Sequence, residues 1–204
     1  MSGRREPALG WRLWRLRRGR LWSWVLDYKW ERGPIEARCM VDQASSRAAL
    51  FLRREPCMHS PGQHCQCGIW ALWDLGRCVA RGRDHMFSWG SGLVVGLIAG
   101  WGTIAIHGDE GFRAQRAQIL CLLADSVWDK SMDSLCGQQS WWLASGRRLG
   151  LVAGHRSTPS ALRRAASDYA VPVLPLADAV RSGLLAELGL SDQQLERARS
   201  VLVR

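Results

Sequence analysis

Lysine is nearly missing from this chain of 204 residues: Lys29 and Lys130 stand against 26 arginines. A GC-rich genome produces that bias without any functional demand, although arginine is also the cation preferred for phosphate contacts. No apolar stretch of about 7–15 residues closed by a small-residue cleavage site follows the arginine-rich start. No signal peptide is visible there, and we expect a cytoplasmic protein. There is no Gly-rich turn running into Lys-Ser/Thr, so the phosphate-cradling loop of P-loop enzymes is excluded too. Internal repeats and low-complexity segments are missing as well. Seven cysteines cannot all pair with one another, and in a reducing compartment they read as thiols or metal ligands, not as a disulfide framework.

What is there is an ordinary bulk with an uneven distribution. A hydrophobic share of 47% and a charged share of 23% match folded proteins and exclude intrinsic disorder and collagen-like chains. The length allows one domain or two small ones sharing a core. A net charge of +10 favours a polyanionic partner. Much of it sits at the start, where residues 1–20 hold Arg4, Arg5, Arg12, Arg15, Arg17, Arg18 and Arg20 against Glu6. Five of the twelve tryptophans (Trp11, Trp14, Trp22, Trp24 and Trp30) fall in or beside that segment.

Residues 11–17 and 20–26 alternate loosely around Gly19 and predict a β-hairpin, with a basic amphipathic helix on an anionic membrane as the rival. Gly33-Pro34 is a turn leading into a short strand that ends near Cys39. Residues 55–68 form a loop, and Ile69 to Trp73 is a strand or the first turn of a short helix. From Met86 to Ile106 there is no charged residue over 21 positions, the length of a membrane span. Its glycines and β-branched residues instead predict an extended segment, bent as in a small barrel, inside a non-membrane domain.

Residues 108–111 are a turn, and 112–123 are a strand or a helix. Leu149–Ala153 and Val171–Leu174 read as strands flanking a helix over 160–169 that opens at Thr158-Pro159, a right-handed βαβ unit. Helices over 176–188 and 192–203 follow, the second opened by a capping box of Ser191 and Gln194. The expected class is α+β: a β-rich part over 1–125 with a metal-binding loop at 57–68, then an α/β part over 126–204, the two sharing one core.

The strongest chemical signal lies in that loop. With 12 Cys and His in the chain, about 0.6 is expected in any 11-residue window, and Cys57, His59, His64, Cys65 and Cys67 put five in one. Zinc takes four N or S ligands in a tetrahedron, and a Pro/Gly-rich loop wraps an ion easily because no ladder competes for its backbone. Cys39, at the end of its strand, completes a set of Cys39, His59, Cys65 and Cys67. Cys57 and His64 are the alternatives, and thiols without metal or a redox cysteine are the other readings of the cluster.

The run His59-x-Pro61-x3-Cys65-x-Cys67-Gly68-Ile69-Trp70-Ala71, followed by Trp101-Gly102-x4-His107-x3-Gly111-Phe112-Arg113-Ala114, resembles a bacterial family without an assigned activity. Its members show Cys-x-Cys-Gly-(Ile/Leu)-(Tyr/Trp)-Ala and, downstream, Gly-x4-His-x(2–3)-Gly-(Phe/Tyr)-Arg-Ala. The likeness extends from Gly10-x-Arg12-x-Trp14 and Leu21-x-Ser23 to Asp168-Tyr169-Ala170-Val171-Pro172-Val173, covering about residues 10–174. It implies a non-membrane fold and a metal site more than any particular function.

Three further groups carry chemistry. His107, Asp109, Glu110 and Arg113 cluster at a turn where a general base and an anion-holding arginine could serve an enzyme acting on a phosphorylated or nucleotide-like substrate, with solvated turn charges as the plain alternative. Arg156, Ser157 and Thr158 precede a helix N-terminus, a phosphate site or simple capping. Trp141-Trp142 with Arg147-Arg148 repeats the aromatic-plus-arginine theme of the N-terminus. The leading expectation is a zinc-stabilised binding protein. Its hairpin, through Arg12, Trp14, Arg15, Arg17, Arg18, Arg20 and Trp22, would hold DNA or RNA with little sequence preference by stacking and phosphate neutralisation. A module binding an acidic protein is the second alternative.

Overall fold

The computed structural model describes residues 6–24, 28–39, 57–62, 65–89, 92–124 and 160–203. Its first element is a hairpin, as the alternation predicts. β1 (Ala8–Arg17) and β2 (Arg20–Ser23) pair antiparallel from Trp14↔Ser23 to Arg17↔Arg20. Between them Arg18 (φ 49°) and Gly19 (φ 75°) both take positive φ, the backbone of a type I′ turn whose twist matches the paired strands.

β3 (Ile35–Glu36), β4 (Ile69–Leu72), α1 (Leu75–Trp89), β5 (Gly92–His107) and β6 (Gly111–Leu123) follow. Residues 69–72 and 112–123, each open between two readings, are strands. The expectation of extended chain from Met86 is corrected: residues 86–89 are the last turn of α1, and the strand begins at Gly92. Among the described residues no helix is long and apolar enough to cross a membrane.

β5 and β6 are long enough to serve several neighbours: β5 pairs with β1 and β6, and β6 with β3, β4, β5 and, at its end, a further strand. β1 pairs with β5, β5 with β6, β6 with β4, and β4 meets β1 at Trp11↔Leu72, so the hydrogen-bonded path closes on itself. Closure requires bending. β5 shifts register against β6 between Leu97 and Ile98 and between Trp101 and Ile104, and Gly102 supplies a φ of 80° at the second bend. At Gly96 a Cβ would lie 2.2 Å from the Cys121 carbonyl oxygen, so only glycine lets these strands approach.

The C-terminal part adds α2 (Ser160–Tyr169), β7 (Val173–Leu174), α3 (Leu176–Arg181), α4 (Leu184–Glu187) and α5 (Asp192–Val203). β7 pairs in parallel with the end of β6, Leu122↔Val173. The expected strand over 149–153 and the Thr158-Pro159 start lie outside the described residues. The single helix expected over 176–188 is two, interrupted at Gly183 with φ 76°. The capping box of α5 forms as expected: the Ser191 N–H donates to Gln194 Oε1 at 3.1 Å and the Gln194 N–H to Ser191 Oγ at 3.4 Å.

Alternation along the strands divides the core between the two sheet faces. Leu9, Trp11, Leu13, Leu93, Val95 and Leu97 pack with α1 and with Leu176, Leu185 and Val201 of α3–α5. Trp14, Leu16, Val94 and Ile98 pack with Leu162, Ala165 and Tyr169 of α2. Polar ties fix both helical layers. The Tyr169 hydroxyl donates to the Trp30 carbonyl at 2.7 Å and accepts from the Leu21 N–H at 3.2 Å, while Gln194 Nε2 donates to the Leu9 carbonyl at 3.0 Å.

Candidate metal centre

One edge of β6 delivers the cysteines. β5 occupies one side of β6; on the other, β4 pairs with residues 111–114 and β3 with Arg116 and Ala117. The Ala37 N–H, donating to the Gln115 carbonyl at 2.7 Å, carries β3 down to the place where β4 begins. The chain leaving β3 toward Cys39 and the chain entering β4 from Cys67 therefore meet opposite the middle of β6. A strand-strand junction is where two ladders both stop, so side chains from either segment are available to hold something between them.

Cys39, Cys57, Cys65 and Cys67 converge there, with their sulfurs all within 4.8 Å of one another. Cys39 and Cys65 Sγ are 3.7 Å apart and Cys57 and Cys67 Sγ 3.1 Å. Four sulfurs at about 2.3 Å from a single tetrahedral zinc lie about 3.8 Å apart, so the first pair already has that spacing and the second would open by about 0.7 Å. The group could hold a metal ion. The fourth position corrects the expected ligand set: Cys57 occupies it, and His59 lies exposed outside the group. The loop turns tightly enough that a Cβ on Gly62 would sit 2.9 Å from Cys57 Sγ, which folds Cys57 inward and leaves His59 on the outer bend. His64 lies outside the described residues.

Backbone donors and a buried arginine brace the group. The Gly62 N–H donates to Cys67 Sγ at 3.2 Å and the Cys67 N–H to Cys65 Sγ at 3.4 Å. Arg113, 5% exposed on β6, donates through Nη1 to the Cys67 carbonyl at 2.9 Å and to the Cys65 carbonyl, and through Nε to His107 Nε2 at 2.7 Å. Its guanidinium also lies 5.4 Å from the Trp70 ring centroid. Burial raises the Cys57 and Cys65 thiols above their ordinary range. Burial pushes Cys67 the same way, but the Ser60 hydroxyl, the Gly62 N–H and the neighbouring thiols outweigh it and bring Cys67 down to about 7. Cys78 and Cys121 stand apart in the core, raised by burial to about 12 and about 11.

Among the turn residues His107 and Arg113 bond to each other, while the two carboxylates are taken by arginines of α1. Asp109 pairs with Arg77 at 2.8 Å, Glu110 pairs with Arg81, and Arg113 is committed to the cysteine loop. His107 accepts from Arg113 and stacks on Trp70 with ring centroids 4.5 Å apart. Burial first, and the Arg113 charge second, lower its pKa. Arg113 is thus a brace of the loop, a role its distance of more than forty residues from Cys65 hid in the sequence. Arg156, Ser157 and Thr158 lie outside the described residues.

The hairpin also divides differently from its charge pattern. Trp14 is fully buried, edge-on to Trp30 at 5.1 Å. Arg12 is 8% and Arg15 2% exposed, Arg15 donating to the Ser23 carbonyl at 2.8 Å. All three are buried in a strand covered on both faces and present no side chain on the outer surface of the hairpin, so they are withdrawn from the expected nucleic-acid interface. Arg17 stacks on half-buried Trp22 at 5.7 Å, Arg18 is exposed at the turn, and Arg20 pairs with Asp168 at 3.0 Å. Arg164 of α2 packs its side chain against Gly19, and Arg163 beside it is exposed. No family model, curated protein or solved structure matches this chain, and the chemistry rests on its own residues.

Proposed function

We propose that Cys39, Cys57, Cys65 and Cys67 hold one zinc ion as a structural cross-link, and that the protein works by binding nucleic acid through the arginines at its hairpin tip. The mutual approach of four sulfurs carries the first half. An all-sulfur tetrahedron selects zinc or iron among the common metals, and sulfurs this close suit one ion. Four protein ligands close the coordination sphere, which is the arrangement of a structural and not a catalytic zinc. Elemental analysis of protein purified without chelator is expected to find one zinc per chain; iron in its place, or metal far below one equivalent, refutes the assignment.

The second half draws on Arg17, Arg18 and Arg164, which lie at one turn, and on exposed Arg163 beside Arg164. Such a patch neutralises phosphates of DNA or RNA with little sequence preference. Filter binding at low salt should detect single-stranded nucleic acid, with log affinity falling against log salt by about 0.7 per phosphate contacted. Replacing Arg18, Arg163 and Arg164 by Gln should weaken binding to every sequence and flatten that slope. Absence of affinity at low salt overturns this half, and co-purification of an acidic protein in that case points to the interaction-module reading.

A further inference from the structure

A cavity of about 360 Å³ opens beside the cysteine loop. Its walls include Trp11, Trp24, Tyr28, Trp30 and Trp70, and Arg12 lines it as well. The size falls in the range of small-molecule sites, which are mostly apolar with a few convergent polar groups. Its shape is set by the closed sheet path and by the loop, since Gln66 and Gly68 on either side of Cys67 also contribute to the wall.

Arg12 is the unusual member. Its guanidinium lies 4.8 Å from the Trp30 ring centroid, and Nη1 donates to the Trp70 carbonyl at 2.5 Å. Its Nε is shielded from solvent and has no hydrogen-bond partner among the described residues. No carboxylate pairs with it among the described residues either. The two acids lining the cavity are taken by other arginines, Glu110 by Arg81 and Glu36 by Arg116 at 3.4 Å. Burial lowers the Arg12 pKa only to about 10, so the group stays charged at neutral pH. A buried cation without a counter-charge is costly to keep, and an arginine fork matches a planar carboxylate well.

We infer that this cavity is a binding site for a small aromatic monocarboxylate, its ring held among the tryptophans and its carboxylate meeting Arg12. The site is separate from the basic hairpin tip and does not depend on nucleic-acid binding. Isothermal titration of the full, metal-loaded chain with 2-naphthoate tests it, with 2-naphthamide as the neutral counterpart of the same shape. One equivalent of naphthoate should bind at least tenfold more tightly than the amide, and only the acid should raise Tm. Arg12→Met removes the charge while keeping an apolar stem, and Arg12→Lys keeps the charge without the fork; both should lose at least tenfold in naphthoate affinity. If either variant fails to fold, the acid-against-amide comparison on the unaltered chain decides alone. Equal affinity for acid and amide, no binding of either at millimolar concentration, or folded Arg12 variants that bind naphthoate unchanged would overturn the proposal.

Discussion

The hairpin and the cysteine loop are both N-terminal to β5, yet they are held in place by different physics. Over β1 and β2 the backbone is paired residue by residue, and Trp11, Trp14 and Leu21 are fully buried beneath it. The described residues of 57–67 contain no strand or helix, and what they bury is sulfur, Ser60, Pro61 and carbonyls gathered by Arg113. Hydrocarbon burial and a backbone ladder stabilise the first region through many small contributions. The second brings four thiols to one place, and the metal cross-link proposed above would fix its order at that point.

That contrast breaks most sharply if the proposed cross-link is removed. Cys67→Ser, or chelation of the unaltered chain, should abolish metal binding and destabilise the protein by at least about 4 kcal/mol where free metal stands near a thousand times Kd, read as a fall in the denaturant midpoint. Because Cys57 and Cys65 are raised and Cys67 sits at about 7, metal must displace protons to bind. Affinity should therefore rise with pH and fall as pH drops below 7. A chelator competition at three pH values reads the sign, and a pH-independent affinity contradicts a thiolate site.

In the hairpin the matching change is Trp14→Ala. It should cost about 3–5 kcal/mol through lost burial and a cavity while leaving one metal per chain, checked by urea unfolding alongside elemental analysis. Loss of metal together with stability would show that the two regions are one unit. Arg113→Met probes the support of the loop: with its carbonyl contacts gone, metal affinity should fall about 10–100-fold, measured by competition with a chromophoric chelator. The smallest effect is expected at a helix start. Ser191→Ala removes half of the α5 capping box and should cost about 1 kcal/mol, seen as a shift in thermal midpoint with metal content unchanged.

How far these features could be read from the residues varies with the range of the interaction. The turn around Gly19 and the capping box at Ser191 were legible because each depends on two to four neighbouring residues; the turn's type was not. The bent strand from Gly92 was legible from its glycines, but α1 was not: Gly76 and Gly82 interrupt it, and its last turn runs into the charge-free stretch. The burial of Arg12 and Arg15 was hidden because β1 is covered on both faces, so charge on the strand does not mark a solvent side. Clustering pointed to the cysteine loop; the choice of Cys57 over His59 depended on how the chain turns at Gly62.

The residues alone determined the turns, the helix start at Ser191, the alternation that divides β1 and β5 between two cores, and the supply of thiols in one loop. Each follows from backbone geometry or composition over a short span. Tertiary structure decided which four sulfurs meet, that Arg113 braces their loop while also bonding His107, and that Arg12 is enclosed among tryptophans. Those outcomes depend on groups brought together from distant parts of the chain when β3 and β4 come to share one edge of β6. Local periodicity carries no record of a junction made between segments thirty residues apart.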